Sequence, residues 1–361
     1  MINIETFVQQ LKNAELGPLM GVPCSLFKDI INYTLDHKSF EHYACSSEGE
    51  SLGLAGGFAL GGKYPIVYMQ NDGYGNAVNP LSSLQLLYDL PALLMITWRG
   101  EPGKKDAPQH SLMGETLLQQ LDIFKIPYTV LDDENFEVSI AKAADYMKKE
   151  HKPYVLIIKK GLFESYEAAN APDNDLHIRM DYLSVLDEYL NEDDVVLGAT
   201  GFSGREVYQG MAHQLKFYMM GSMGCLSSVG LGLAKTYPGK RVFVLDGDGA
   251  LLMKMGTLST VGEYQPDNLV HICFDNQAYE STGNQKTNAG SCDFQKVAAA
   301  CNYPTSFSID TLEEFKLLIK NIDDLPKPLF LHIRIKSGTI KDLGRPSVTA
   351  VEMKKTFMDK L

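Results

Sequence analysis

Three stretches of this 361-residue sequence place carboxylates or amides where they could handle a charged ligand or a proton. In Asp246-Gly247-Asp248-Gly249-Ala250 an acidic residue stands between two glycines, directly after the apolar run Arg241–Leu245. That run reads as a buried strand, and ligands of open α/β sheets collect at the carboxyl ends of strands. Glycines there let backbone amides approach a phosphate, and a helix following the strand would aim its positive end at the same group. Asp248 could then hold a divalent cation that neutralises the phosphate. Taken alone, the triplet also suits a plain turn. The second stretch gives it a companion: the apolar run Leu269–Phe274 leads into Asp275-Asn276-Gln277-Ala278 and brings an amide oxygen to the same sheet edge. The third is Ala44-Cys45-Ser46-Ser47-Glu48-Gly49-Glu50, followed by the small-residue segment Leu52–Leu60, which reads as a helix packed closely against a sheet. A glutamate in that place is partly buried, desolvation raises its pKa, and a carboxyl so tuned can share a proton. A surface cap or an ion pair is the competing use for Glu48 or Glu50.

Parallel sheets are needed to hold these residues. Short apolar, β-branched runs alternate with helix-period segments throughout, the pattern of α/β folds with parallel sheets covered by helices. The predicted strands are Pro65–Gln70, Ala92–Trp98, Pro153–Lys159, Val195–Ala199, Arg241–Leu245, Leu269–Phe274 and Leu329–Ile335. Several are apolar almost throughout, as strands buried on both faces should be. Helices are predicted over Glu5–Asn13, Leu112–Asp122, Ser139–Lys149, Thr257–Tyr264 and Leu312–Asn321. The length suits two domains. A polar stretch without periodicity, Ser165–Asp175, precedes a new helix start near Asp181, so the expected division is residues 1–165, a linker over 166–180, and residues 181–361.

Charge and composition exclude several function classes. A net charge of −12 argues against nucleic acid or anionic membrane as partner, because both need basic surface. Any anionic substrate must then meet a local cationic patch. The six cysteines are scattered, with no Cys-x-x-Cys pair and no zinc spacing, and read as buried free thiols. No leader-like opening and no membrane-length apolar run is present in the sequence, which reads as cytoplasmic. No Gly-x-Gly-x-x-Gly follows a strand, so a flavin or nicotinamide oxidoreductase is disfavoured.

The pairing of Gly247-Asp248-Gly249 with Asn276 resembles the diphosphate-binding motif of thiamine diphosphate enzymes. The resemblance implies two domains of the thiamine diphosphate-binding fold, pyrimidine-binding in the first half and diphosphate-binding in the second. It implies Mg²⁺ ligated by Asp248, Asn276 and the main-chain carbonyl of Ala278, an oxygen set that suits a hard cation. It also sets Thr200, Gly201, Ser222, Gly247, Gly249 and Ala250 around the coenzyme. Where the family often has Asn-Asn, this chain has Asp275-Asn276, and the second residue is the one that ligates. Met223 in Gly221-Ser222-Met223-Gly224 matches the large apolar residue that supports the bent coenzyme, with an ordinary core methionine as the alternative. Ser47-Glu48-Gly49 resembles the element of pyrimidine-binding domains whose glutamate exchanges a proton with the pyrimidine N1′, which singles out Glu48 over Glu50.

Three further segments, at residues 21–25, 70–80 and 98–110, narrow the likeness to phosphonopyruvate decarboxylases and the closely similar sulfopyruvate decarboxylases. They are Gly-Val-Pro-Cys-Ser, Gln-Asn-Asp-Gly-Tyr-Gly-Asn-Ala-Val-Asn-Pro and Trp-Arg-Gly-Glu-Pro-Gly-Lys-Lys-Asp-Ala-Pro-Gln-His. The implied reaction is decarboxylation of 3-phosphonopyruvate to phosphonoacetaldehyde and CO₂ in phosphonate biosynthesis. Sulfopyruvate decarboxylation, carboligation and a non-catalytic cofactor-binding subunit are the alternatives. The implied assembly is a homo-oligomer, at least a dimer, with active sites between subunits. Arg99, Lys104, Lys105 and His110 gather cationic groups after a predicted strand in an otherwise acidic protein, with Asn71 nearby in the motif. Arginine can grip a carboxylate or phosphonate in a bidentate fork, and lysine supplies a point charge. A solvated loop with incidental charge is the other reading. Many family members carry aspartate in place of Cys24, serine in place of Asp72 and histidine in place of Tyr279. The acid that delivers the final proton is thereby left open among Cys24, Tyr279, Glu280 and a bound water.

Overall fold

Alternation of side chains along the central strands decides how each half of the chain is layered. The computed structural model describes residues 1–168 and 175–361, which form two units, Met1–Ala171 and Pro172–Leu361. The middle of the predicted linker, residues 169–174, lies outside the described residues.

The first unit is a six-stranded sheet of β1 (Leu19–Gly21), β2 (His42–Ala44), β3 (Ile66–Gln70), β4 (Leu93–Thr97), β5 (Tyr128–Val130) and β6 (Tyr154–Ile158). Its order is β2-β1-β3-β4-β6-β5, and every pairing is parallel. Ile66, Tyr68, Leu93, Met95, Leu156 and Ile158 pack on one face against the helices Ile4–Asn13 and Phe136–Glu150. The intervening Val67, Met69, Leu94, Ile96, Val155 and Ile157 pack on the other face against Glu48–Leu60 and Ser111–Ile123. Side chains alternate across a strand, so a strand covered on both faces must be apolar at every position.

The second unit repeats this plan with β7 (Val195–Gly198), β8 (Lys216–Tyr218), β9 (Val242–Gly247) and β10 (Leu269–Asp275). A two-residue hairpin pair follows, β11 (Ala278–Tyr279) and β12 (Gln285–Lys286), and then β13 (Thr305–Ile309) and β14 (Leu329–Arg334). The main sheet runs β13-β14-β10-β9-β7-β8, again all parallel. Phe243, Leu245, Val270, Ile272, Leu329 and Leu331 meet the helices Arg179–Tyr189 and Leu312–Lys320 on one face. Val242, Val244, Leu269, Cys273 and Phe330 meet Leu226–Thr236 and Thr257–Tyr264 on the other.

All seven strands expected from sequence are present, and five more complete the two sheets. The unrecognised ones are β1, three residues long, and the edge strands β2, β5, β8 and β13. Edge strands are partly exposed, as in Thr305-Ser306-Phe307-Ser308-Ile309, and lack the continuous apolar run that marks a central strand. Two expectations shift at the site itself. The helix read from Leu52 already starts at Glu48, and the strand read as ending at Leu245 continues to Gly247. Among the described residues no helix is long and apolar enough to cross a membrane.

Candidate active site

In the first unit the chain leaving β2 turns through Ser46 and Ser47 into the helix Glu48–Leu60. Two nearby glutamates divide the work there. Glu50 serves the helix end: its Oε2 accepts from the Ser46 amide at 2.8 Å, while its own amide donates to Ser47 Oγ at 3.2 Å. Glu48 turns inward instead and is 5% exposed. Its Oε2 accepts a hydrogen bond from Asn76 Nδ2 at 2.9 Å, from the helix Asn71–Pro80. Gly73 of that helix faces the same carboxyl: a Cβ at position 73 would stand 2.1 Å from Glu48 Oε1. Only glycine leaves this space, so the Asn-Asp-Gly start of the second helix is a condition for burying the glutamate of the first.

The remaining residues of this edge form one connected set. Asn71, fully buried, donates from Nδ2 to the Arg99 carbonyl at 2.7 Å and accepts from the Arg99 amide at 3.0 Å, tying β3 to the loop after β4. Arg99 is not the open fork that its sequence suggested. Its Nε and Nη2 each donate to an Asp106 oxygen at 2.6 Å, and the Gly100 amide adds a third bond to the same carboxylate at 3.1 Å. Burial alone would raise the Asp106 carboxyl, but these donors and the Ala107 amide hold it well below the usual carboxylate range. Arg99 Nη1 reaches Ser25 Oγ at 3.4 Å. The loop therefore presents Lys104 and Lys105, both exposed, as its cationic groups outside the Arg99–Asp106 pair, with Glu101 beside them. Cys24 is buried, and its sulfur accepts from Thr97 Oγ1 at 3.2 Å and Gln70 Nε2 at 3.5 Å. His110, 6% exposed, pairs through Nδ1 with Asp72 Oδ2 at 2.7 Å.

In the second unit Asp248 opens a short helix, Asp248–Met253, at the end of β9. The helix expected after this strand is present and has six residues. Asp248 is 4% exposed, and burial pushes its carboxyl up to about 7, against the pull of a hydrogen bond from Thr287 Oγ1 at 2.6 Å. Asp275, at the end of β10, raises it further. Asn276 follows, with Oδ1 accepting from the Ala278 amide at 3.0 Å and Nδ2 donating to Glu280 Oε2 at 3.3 Å. A carboxylate only accepts, so this contact fixes which end of the amide is oxygen. Glu280 is itself held by Arg179 Nη2 at 2.8 Å and by the Gly338 amide, and Arg179 Nη1 bonds buried Glu206 at 2.6 Å. Burial raises both carboxyls, Glu206 and Glu280, against the Arg179 charge.

Met223 and Tyr279 converge on the Gly-Asp-Gly turn. A Cβ at Gly249 would lie 2.7 Å from the Tyr279 ring and 3.4 Å from the Met223 methyl. Thr200 Oγ1 donates to the Met220 carbonyl at 3.0 Å, and Gly201, at φ +88°, lies beside Ser281. Ser222 is exposed with φ +50°, and Ala250 is buried under the turn. Six residues on which these sites depend had no assigned role in the sequence: Asp72, Gly73, Asn76, Asp106, Arg179 and Thr287. Asp72, Gly73 and Asn76 lie inside the motif at residues 70–80 and Asp106 inside that at 98–110, and the residue order in those motifs was the only signal that could have found them.

As a test of fit for a cation, Asp248 and Asn276 supply hard oxygen donors, and an ion beside Asp248 would keep ionised a carboxyl that burial otherwise protonates. The class to which this architecture belongs is recorded in its second half: residues 199–333 match the C-terminal TPP binding domain of thiamine pyrophosphate enzymes. Across the full length, a phosphonopyruvate decarboxylase of Streptomyces viridochromogenes is 34% identical, covering 99% of this chain and 94% of that one. The chain belongs to the phosphonopyruvate decarboxylase family of thiamine pyrophosphate enzymes. A second phosphonopyruvate decarboxylase, of Streptomyces hygroscopicus, is 31% identical with the same coverage. A sulfopyruvate decarboxylase of Methanosarcina acetivorans is 26% identical over 99% of this chain and 97% of that one.

Proposed function

We propose that this chain decarboxylates 3-phosphonopyruvate to phosphonoacetaldehyde and CO₂ with thiamine diphosphate and Mg²⁺. The observation that carries the reading is a buried, hydrogen-bonded Glu48 in a chain that aligns with this decarboxylase family over 99% of its length. When bound, the coenzyme supplies an electron-poor carbon that accepts the electron pair released as CO₂ leaves. Residues 1–165 would bind its pyrimidine, with Glu48 exchanging a proton at N1′. Residues 181–361 would bind its diphosphate, with Mg²⁺ on Asp248, Asn276 and the Ala278 carbonyl. Met223 would support the bent coenzyme from below. Thr200, Gly201, Ser222, Gly247, Gly249 and Ala250 would line the diphosphate site. Lys104, His110 and the remaining donor of Arg99 would meet the substrate anion, whose charge the rest of this acidic chain repels, while Asn71, expected from sequence to bind substrate, is fully buried with both ends of its amide on the Arg99 backbone and would hold that loop in place.

In this proposal the pyrimidine unit of one subunit and the diphosphate unit of another share each coenzyme, so the active form is at least a homodimer. Activity in a strictly monomeric fraction would count against it. A cytoplasmic location is part of the same reading and suits six cysteines that form no disulfide among the described residues.

The test is incubation with thiamine diphosphate, Mg²⁺ and, separately, phosphonopyruvate, sulfopyruvate and pyruvate while CO₂ and aldehyde are followed. Glu48→Gln should abolish CO₂ release with coenzyme still bound, and full turnover by that variant would remove the assignment. Sulfopyruvate is the second candidate because a sulfopyruvate decarboxylase also aligns over nearly the whole chain. A higher kcat/KM for sulfopyruvate would reverse the choice.

A further inference from the structure

We propose that His110 delivers the proton that completes the reaction and that Asp72 is its positioning residue, an assignment that rests on the decarboxylase reading above. At position 24 this chain has a thiol, and the Cys24 sulfur is a buried acceptor for Thr97 Oγ1 and Gln70 Nε2. Asp72 stands in the first turn of the helix Asn71–Pro80. Its Oδ2 is 2.7 Å from His110 Nδ1.

Two contacts determine the histidine tautomer. Asp72 presents a carboxylate to Nδ1, and Gln109 Nε2 lies 3.4 Å from His110 Nε2. A carboxylate accepts and an amide nitrogen donates, so in neutral His110 the proton sits on Nδ1 and Nε2 carries the lone pair. Taking up a proton at Nε2 makes an imidazolium whose charge Asp72 faces directly, and His110 then becomes a donor through Nε2. Backbone geometry holds the pair in place. Gly100, at φ +67°, packs so closely under the His110 carbonyl that a Cβ there would lie 2.1 Å from the oxygen. Asn71, the neighbour of Asp72, bonds both backbone groups of Arg99, the neighbour of Gly100. Glu48 packs against Gly73 on the other side of Asp72, so the pair and the glutamate share one helix turn. The charged groups on the elements around the pair are Glu48 and Glu50 on one helix, Arg99, Glu101, Lys104, Lys105 and Asp106 on the loop, and Glu115 on the helix after it, with Arg99 and Asp106 bound to each other.

In the step assigned, the C–C bond to the substrate carboxylate breaks, the carboxylate leaves as CO₂, and the electron pair left on the former keto carbon forms a C–H bond with the proton from His110 Nε2. His110 regains a proton from solvent, so substrate and one proton become aldehyde and CO₂.

Rapid-quench turnover of the holoenzyme separates this from a structural role, because the proton is used after CO₂ has gone. His110→Gln should release about one CO₂ per active site in a burst at near wild-type rate, while aldehyde release slows about 100-fold or more. Asp72→Ala should give the same split with at least about a tenfold slowing. ¹⁵N NMR of the histidine rings should find the Nδ1–H form of His110 in the wild type and its loss in Asp72→Ala, with Asp72→Asn as the better-folded substitute. Parallel loss of CO₂ and aldehyde, or an unchanged aldehyde rate in His110→Gln, would overturn the proposal while leaving the decarboxylase assignment standing. A wild-type protein that releases no CO₂ from any of the three 2-oxo acids would remove both.

Discussion

Replacing Gly73 by alanine tests how Glu48 is held without touching the glutamate itself. The new Cβ would lie 2.1 Å from Oε1, 2.5 Å from Cδ and 2.8 Å from Cγ of Glu48. Ordinary contact begins near 3.4 Å, so the shortfall at the oxygen is about 1.3 Å. The backbone of a helix start does not yield this distance, whereas the carboxyl is the free end of a side chain and swings away, straining its bond from Asn76. A displacement of about 1 Å at a reacting group costs on the order of 100-fold in rate, or about 2.7 kcal/mol of activation energy. Overpacking adds roughly 1–3 kcal/mol of lost stability. The assay is kcat for CO₂ release by Gly73→Ala, beside urea unfolding for Gly73→Ala, Glu48→Ala and the double variant. In the double variant the clash is gone, so Gly73→Ala should cost no further stability, and the coupling energy equals most of the stability lost in the single variant. A Gly73→Ala enzyme within twofold of wild type, or losses that simply add, would refute the claim that Gly73 exists to seat Glu48.

The Asp248 carboxyl, raised to about 7 by burial, predicts a pH dependence of cofactor binding. A cation needs the ionised form, so affinity for Mg²⁺ with thiamine diphosphate should climb by up to about tenfold per pH unit below 7 and level off above it, measured by calorimetry. The sign for the protein without ligands is opposite: the folded state holds this proton more tightly than the unfolded chain, so stability falls as pH rises from about 4 to 7. Asp248→Asn should abolish both slopes. Glu280→Ala, by releasing the Asn276 amide, should weaken cofactor affinity about tenfold or more in a fluorescence titration, with little change in KM. Asp106→Ala leaves Arg99 partly buried without its bidentate partner and should lower stability by roughly 2–3 kcal/mol in urea. Unchanged unfolding midpoints would show that the Arg99–Asp106 pair contributes nothing.

The sequence by itself determined the central strands and the residues at their carboxyl ends. Strands such as Leu93–Thr97 and Leu269–Asp275 are covered on both faces, so burial writes itself into every position and can be read without a partner. The places of Asp248, Asn276 and Glu48 in the fold were legible because each follows such a strand or opens a helix beside one, where local order dictates place. The edge strands were not legible, since half of each, as in His42–Ala44, is free to be polar. What each candidate side chain touches was decided only by tertiary structure. Arg99 looked like an open anion grip until Asp106, seven residues on, was seen to fold back onto it. His110 met Asp72 across 38 residues because Gly100 lets the loop pass beneath the His110 carbonyl. Such pairings depend on the path of a loop through space, and spacing along the chain does not encode that path.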